Sequence, residues 1–132
     1  MKILHMNKQA GFTLIELLIA LAIMAIIVAV AYPSYLNQLQ QVRRANAQAD
    51  LVELAAFMQR FYSNNLDYDA GANLPFNTSP RSGRQSFYEI TLGNVTPTTY
   101  TLTAAPQGAQ ANDECGSMTI NQSGQTTPAN CW

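Results

Sequence analysis

An uninterrupted apolar run near the N-terminus constrains the fold of this chain more than any other feature of the sequence. No residue from Leu17 to Tyr32 is charged, and neither glycine nor proline interrupts that stretch. Counted from Phe12, the run would form a helix of roughly 30 Å at about 1.5 Å per residue, which matches the hydrocarbon thickness of a bilayer. The sequence therefore predicts a membrane-spanning helix over residues 12–32, with room for one further domain after it.

The charges that precede the run predict its orientation. Lys2 and Lys8 lie on its short flank, and the cytoplasmic flanks of membrane helices are enriched in basic residues. We therefore expect a cytoplasmic N-terminus and a remainder of the chain that lies outside the inner membrane. A secretory signal peptide, with Ala29-Val30-Ala31 before its cleavage site, and a plain signal anchor are the alternatives.

A single carboxylate, that of Glu16, lies inside the run. A charge at the bilayer centre costs about 2.5–3.5 kcal/mol on insertion scales, so an acid in such a segment indicates a function. Neither a signal peptide nor a plain anchor has a use for it.

The junction and the run together resemble the prepilin motif of type IV pilins and their relatives. The matching residues are Gly11-Phe12-Thr13-Leu14-Ile15-Glu16. The resemblance implies that a prepilin peptidase cleaves after Gly11 and methylates Phe12, so that residues 1–11 form a cleaved leader. It also implies that Glu16 meets the N-terminal amine of a neighbouring subunit during assembly.

Composition and charge narrow the classes of function. Loss of the leader would remove Lys2 and Lys8 and leave five arginines against eight acidic residues. An acidic chain argues against general nucleic-acid binding, which needs a basic surface. The single histidine lies in the leader, and we interpret Asp67 and Asp69 as part of a solvated loop. We therefore expect no enzymatic activity, no catalytic residue, no metal and no cofactor.

The two cysteines, Cys115 and Cys131, both lie outside the inner membrane on the predicted topology, where disulfides persist. Within one chain only one pairing is possible. We predict a Cys115–Cys131 disulfide, which would stabilise the fold by about 3 kcal/mol in the chain-entropy model.

Helical spacing of apolar residues continues beyond the membrane segment, which predicts one long helix from about Phe12 to Ser63. Pro33 is a weak point in it, because proline removes a backbone hydrogen bond and favours a kink. The stretch from Leu66 to Gln85 is rich in Asn, Asp, Gly, Pro and Ser and is predicted to form a long irregular loop.

Three later segments alternate apolar and polar residues as half-buried strands do, and turn residues separate them, which predicts an antiparallel meander. The segments are 87–92, 99–104 and 117–121. The predicted fold class is α+β: a long N-terminal helix with a membrane-spanning half and an amphipathic half, packed through its Leu51–Tyr62 stripe on a sheet of three or four strands. This arrangement resembles the pilin roll.

Three further segments extend the resemblance towards the PilE-like minor pilins of Gram-negative bacteria. They are Tyr32-Pro33-Ser34-Tyr35, Phe61-Tyr62-Ser63-Asn64-Asn65 and the stretch from Cys115 to Trp132. The resemblance implies a structural subunit of the minor class in a type IV pilus, supporting assembly, adhesion or twitching motility. The implied partners are other pilin subunits, prepilin peptidase and the inner-membrane assembly platform. The implied location is the inner membrane before assembly, with residues 33–132 as a periplasmic head domain, and the extracellular pilus afterwards.

Two alternatives remain open. A type II secretion pseudopilin shares the N-terminal motif, although the cysteine pair and the lack of a compact acidic calcium-binding loop favour a pilus. A competence pilin would bind DNA, and Arg81 and Arg84 lie close in sequence to Phe76, Phe87 and Tyr88. Phosphate contact combined with aromatic stacking could hold a strand there. Two arginines on an acidic head more often serve solubility or subunit contacts.

Overall fold

The computed structural model describes residues 11–132. The chain separates into two compact units, Met1–Asn37 and Gln38–Trp132, which are described one at a time. Except for Gly11, the predicted leader with Lys2 and Lys8 lies outside the described residues.

One α-helix, α1, extends over Leu14–Asn65, close to the predicted range. It continues through Pro33, so the prediction of a single long helix is confirmed, while a kink at the proline stays a prediction. The helix ends where Leu66 adopts a left-handed backbone conformation with φ 58°, and its N–H donates to the carbonyl of Tyr62 at 2.7 Å. That geometry is a common C-terminal cap, because it satisfies a carbonyl of the last turn.

The first unit consists of the apolar part of α1. Every described side chain before Asn37 is exposed, including the large apolar ones from Leu14 to Val30. The helix is long and apolar enough to cross a membrane. A helix that is apolar on all sides needs lipid or other helices as neighbours. Taken alone, this unit is therefore a segment whose apolar surface the described residues leave exposed.

The second unit contains an antiparallel sheet of five strands in sequence order. The strands are β1 (Thr78–Ser79), β2 (Tyr88–Gly93), β3 (Thr101–Pro106), β4 (Met118–Asn121) and β5 (Thr126–Thr127). The meander and the three longer strands are confirmed. The sheet has two more strands than the alternation indicated, and β1 lies inside the predicted irregular loop. Two-residue edge strands are too short to produce an alternating pattern, because their pairing depends on backbone bonds such as Phe87 N–H to Ser79 O at 2.8 Å.

The core of the second unit lies between α1 and the sheet, as the Leu51–Tyr62 stripe predicted. Leu51, Leu54 and Met58 are fully buried, and Tyr62 is half-buried. Tyr100, which precedes β3, and the inward positions of the strands join them from the sheet side; those strand positions are Tyr88, Ile90, Leu102, Ala104, Met118 and Ile120. Full burial of a Leu, Ile or Met side chain contributes about 1.5–3 kcal/mol, so this cluster is the main source of stability in the unit.

The predicted disulfide is present. Cys115 and Cys131 are bonded with their Cα atoms 6.0 Å apart. The amide of Gln48 on α1 donates to the backbone carbonyl of Cys131, and Trp132 packs against the core. The disulfide-bonded segment is thus fastened to the helix by a polar contact as well as by burial.

Candidate processing and assembly site

The peptide bond between Gly11 and Phe12 lies ahead of the helix and is open to solvent. Residues 11–13 are outside regular secondary structure, and Phe12 is 91% exposed. A Cβ atom added at Gly11 would meet nothing within 4 Å. No contact within the described chain therefore demands glycine there, and any requirement for glycine has to come from a protein that recognises the junction.

Thr13 and Glu16 cap the start of α1 reciprocally. The backbone N–H and the hydroxyl of Thr13 both donate to Oε2 of Glu16 at 2.9 Å. In return, the N–H of Glu16 donates to Oγ1 of Thr13 at 3.3 Å. This is a capping box, in which an N-cap threonine and a glutamate three residues later satisfy free donors of the first turn. A carboxylate at this end of a helix also interacts favourably with the helix dipole.

The capping box uses only one oxygen of the carboxylate. Both donors from Thr13 reach Oε2, and within residues 11–132 no donor reaches Oε1 of Glu16. Two hydrogen bonds reduce the cost of moving the anion away from water, and the second oxygen remains open to a cation. The sequence analysis identified Glu16 but missed the role of Thr13, although the pattern Thr-x-x-Glu before an apolar run is a signal for a capping box.

In the head, Arg81 is engaged by acidic residues of α1. Its Nη1 and Nη2 donate to the two carboxylate oxygens of Glu53 at 3.0 and 2.8 Å, and its Nε lies 3.6 Å from Oδ1 of Asp50. The guanidinium also lies 4.4 Å from the ring centroid of Phe76. These contacts border an open depression of about 340 Å³. Two carboxylates thus offset the charge of Arg81.

The other members of the predicted basic and aromatic cluster are separated. Arg84 is exposed, and no acidic oxygen within 4.0 Å pairs with it in the described part of the chain. Tyr88 is fully buried, and Phe87 is half-buried beneath the guanidinium of Arg43, which lies 3.8 Å from the ring centroid. Sequence reasoning missed Arg43, because it lies on α1 far from the loop in sequence. Whether Arg81 and Arg84 contact DNA stays a prediction.

A buried ion pair links α1 to the segment before the disulfide. The Asp113 side chain is fully buried and accepts from Nε and Nη2 of Arg44 at 3.1 and 2.5 Å. The hydroxyl of Tyr88 donates to the same carboxylate at 3.2 Å, and Gln110 donates to the Tyr88 oxygen at 3.1 Å. The hydrogen bond to Asp113 raises the pKa of Arg44, and burial raises the pKa of Tyr88.

The acidic pair interpreted as a solvated loop lies just after α1. Asp69 is exposed and Asp67 is half-buried, and the N–H of Asp69 donates to Oδ1 of Asp67 at 2.8 Å. That local turn explains the spacing of the two acids, because an aspartate side chain commonly bonds the backbone two residues on.

Two family models match the chain. The model described as "Type IV minor pilin ComP, DNA uptake sequence receptor" matches residues 33–119, and the model described as "Prokaryotic N-terminal methylation motif" matches residues 6–32. The two matches meet at the end of the apolar run and together span most of the chain.

Individual relatives agree with these matches. The chain is 31% identical over 129 residues to fimbrial protein Q of Moraxella bovis, covering 89% of this chain and 81% of that protein. It is 30% identical over 83 residues to the type IV major pilin protein PilA of Myxococcus xanthus, and 28% identical over 90 residues to the type II secretion system core protein G of Vibrio cholerae. Each of these two matches covers 63% of this chain, and they span only 37% and 62% of those proteins.

A solved structure supports the same assignment. A type IV pilin from Shewanella oneidensis superposes with a TM-score of 0.54 at 33% identity, covering 70% of this chain and 97% of that one. The two family models together match residues 6–119. This chain therefore belongs to the type IV pilin family.

Proposed function

We propose that this chain is a structural subunit of a type IV pilus, processed at the Gly11–Phe12 bond and polymerised through its apolar N-terminal helix. The observation that carries the proposal is the state of Glu16. It is the one carboxylate in the exposed apolar segment 12–32, and its Oε1 atom has no donor within residues 11–132 while Thr13 holds its Oε2 atom. A group of this kind needs a cation from outside the chain once it leaves water.

Processing supplies that cation. Cleavage after Gly11 by a prepilin peptidase removes residues 1–11 and leaves a free amine on Phe12, which the same enzyme methylates. The exposed, non-helical junction and the matched methylation motif support this step. A methylated amine remains cationic, so methylation does not prevent pairing with a carboxylate.

Assembly then joins the amine of Phe12 on one subunit to the free Oε1 of Glu16 on the next. Charge-assisted hydrogen bonds of this type are stronger than neutral ones, and they tie a defined point of one helix to a defined point of its neighbour. Apolar side chains alone allow helices to slide, whereas a buried ion pair fixes their register. The exposed apolar surface of residues 12–32 supplies the area that such packing covers.

The location of the chain follows from the same features. Before assembly, residues 12–32 span the inner membrane with a cytoplasmic N-terminus, and residues 33–132 form a periplasmic head. After assembly the head lies on an extracellular filament. The partners are other pilin subunits, the peptidase and the inner-membrane assembly platform, and the chain serves adhesion or twitching as a minor, non-catalytic component.

A second candidate function is binding of DNA during uptake. The specific observation in its favour is the match of residues 33–119 to the family described as a DNA uptake sequence receptor. In the sequence, Arg81 and Arg84 were the candidate contacts. Glu53 and Asp50 offset the charge of Arg81, which makes Arg81 a poorer candidate for a phosphate contact. Arg84 is exposed and has no carboxylate partner within residues 11–132.

Mass spectrometry of sheared filaments tests the main proposal. In a deletion strain complemented with the wild-type gene, we expect the chain in the filament fraction, beginning at Phe12 and one methyl group heavier than the unmodified sequence. Recovery from the membrane only, with the leader intact, would contradict the proposal. Loss of protein secretion with pili retained in the deletion strain would assign the chain to a type II secretion pseudopilus, the alternative that the Vibrio cholerae relative favours.

A further inference from the structure

The arginines of the head fall into two groups. Arg44 is paired with Asp113 and Glu114, and Arg81 is paired with Glu53 and Asp50. The remaining three have no acidic oxygen within 4.0 Å in the part of the chain that the structure describes; they are Arg43, Arg60 and Arg84. A guanidinium whose charge is already offset by carboxylates attracts a further anion only weakly, so the unpaired arginines are the better candidates for a ligand.

Arg43 is held in a fixed orientation. Its guanidinium lies 3.8 Å from the ring centroid of Phe87, which is a cation–π contact. The ring is itself anchored, because Phe87 packs against the core and its N–H and carbonyl bond Ser79 and Gln107 at 2.8 Å each. A guanidinium stacked in this way keeps its N–H donors at the edge of the plane, where they can meet a phosphate.

Arg84 lies close to this stack. It is exposed and precedes Phe87 by three residues, which can separate their Cα atoms by at most about 10 Å. The backbone of Arg84 therefore lies near the residue whose ring holds Arg43, and neither arginine has a carboxylate partner within residues 11–132. The acidic turn at Asp67 and Asp69 follows the end of α1, roughly 33 Å along the helix from Arg43. That distance is several times the Debye length of about 8 Å at physiological salt. The negative charges of the turn therefore have little effect on the electrostatic potential around Arg43.

We propose that Arg43 and Arg84, with Phe87 as the positioning residue for Arg43, form a phosphate-contacting surface for DNA. This proposal rests on the DNA-uptake candidate above and assigns that activity to residues different from the pair that the sequence indicated. Each arginine meets one backbone phosphate, and the ring reduces the conformational freedom that Arg43 loses on binding. Two phosphate contacts position the duplex and carry no base specificity, so these two arginines do not themselves select a sequence.

The salt dependence of binding follows from the number of contacts. Each phosphate neutralised by a cation contributes a slope of about −0.9 to the plot of log affinity against log salt concentration for duplex DNA. Loss of either arginine should therefore reduce the magnitude of the slope by about 0.9 and weaken binding by roughly 3–10-fold at low salt. Phe87→Leu keeps both charges, so we expect weaker binding with a slope closer to that of the wild type.

Fluorescence anisotropy of a labelled duplex oligonucleotide, titrated with the detergent-solubilised full-length chain, tests the proposal. The variants are Arg43→Gln, Arg84→Gln and the two combined. Arg60→Gln is the matched control, because Arg60 is an exposed arginine without an acidic partner in the described residues and lies roughly 25 Å from Arg43 along α1. Arg81→Gln separates this surface from the sequence-based one, and both controls should bind like the wild type.

Each outcome has a separate meaning. Equal weakening by Arg60→Gln or Arg81→Gln, or an unchanged salt slope in the combined variant, would overturn the proposed surface while the DNA-uptake candidate stands. Failure of the wild-type chain to bind the duplex at low salt would overturn both of them. Neither result bears on pilus assembly, which the mass of the filament fraction tests independently. Incorporation of each variant into filaments at the wild-type level shows that the substitutions leave the fold intact.

Discussion

The apolar helix and the head each contain a notable carboxylate, that of Glu16 and that of Asp113. The two differ in how many of their oxygen atoms accept hydrogen bonds from the described chain. Asp113 is fully buried, and it accepts hydrogen bonds from Arg44 and Tyr88 of the same chain. Glu16 accepts two bonds on one oxygen, and its other oxygen has no donor in residues 11–132. The head therefore satisfies its buried carboxylate from within the chain, whereas the described part of the N-terminal helix leaves an apolar surface and one carboxylate oxygen exposed.

This comparison assigns different consequences to the two residues. Removing a group that is satisfied within the chain should lower stability, while removing a group that is open to a neighbour should lower assembly and leave the fold unchanged. Four substitutions or conditions test that division.

The largest expected effect is that of Glu16→Ala on assembly. We expect the variant to be cleaved and to accumulate in membranes, and to be absent from sheared filaments, because the Phe12 amine of the neighbour would lose its counter-ion. Mass spectrometry of membrane and filament fractions measures both quantities. Asp69→Ala, an exposed acid in the head, is the matched control. Normal incorporation of Glu16→Ala would contradict the role given to Glu16.

The next effect is that of Asp113→Ala on stability. Removing one partner of a buried ion pair typically costs about 3–5 kcal/mol, because the other charge remains without compensation. Thermal unfolding of the full-length chain in detergent, followed by circular dichroism, should show a marked fall in the midpoint. Glu114→Ala removes a neighbouring acid whose side chain is 83% exposed and should leave the midpoint unchanged. Equal shifts for the two variants would show that the buried network does not stabilise the head.

A smaller effect is expected at Thr13. Thr13→Val keeps the shape of the side chain but removes the hydroxyl that donates to Glu16 and accepts from its N–H. Loss of such a cap typically costs about 1 kcal/mol. We expect reduced incorporation into filaments for Thr13→Val and near-normal incorporation for Thr13→Ser. Incorporation of Thr13→Val at the wild-type level would contradict the role given to the capping box.

A further effect is a loss of head stability at high pH. Burial raises the pKa of Tyr100 from 10.0 to about 12, and burial also raises the pKa of Tyr68. A phenol with a raised pKa stabilises the folded state below pH 10, and that contribution is lost as pH rises towards 12. The free energy of unfolding should therefore fall over this interval. Tyr100→Phe should flatten the fall, and an identical pH profile for that variant would contradict the assignment.

Much of the fold could be predicted because its signals are local. Helical spacing indicated α1 to within two residues at each end, and alternation indicated β2, β3 and β4. The two cysteines left one possible pairing within the chain. The edge strands β1 and β5 escaped prediction, because two residues have no period and their pairing depends on strands already in place.

The candidate sites show the same division between local and distant signals. Gly11, Phe12 and Glu16 belong to one short motif, and the capping role of Thr13 could have been read from its spacing to Glu16. In contrast, Asp113 and Arg44 are 69 residues apart in sequence, and Arg43 meets Phe87 only because the sheet packs on α1. Sequence proximity grouped Arg81 with Arg84, whereas Glu53 and Asp50 on α1 pair with Arg81. Contacts of this kind follow from tertiary packing and leave no pattern in a single sequence.

The distance between the Phe12 amine and Oε1 of Glu16 on the adjacent subunit tests the central claim most directly. Electron cryomicroscopy of filaments that contain this chain would measure it. We predict a charge-assisted hydrogen bond of about 2.7–2.9 Å, with Thr13 still bound to Oε2. A separation above about 6 Å would contradict the account, because an opposite charge at that distance no longer strongly stabilises the ionised form of its partner.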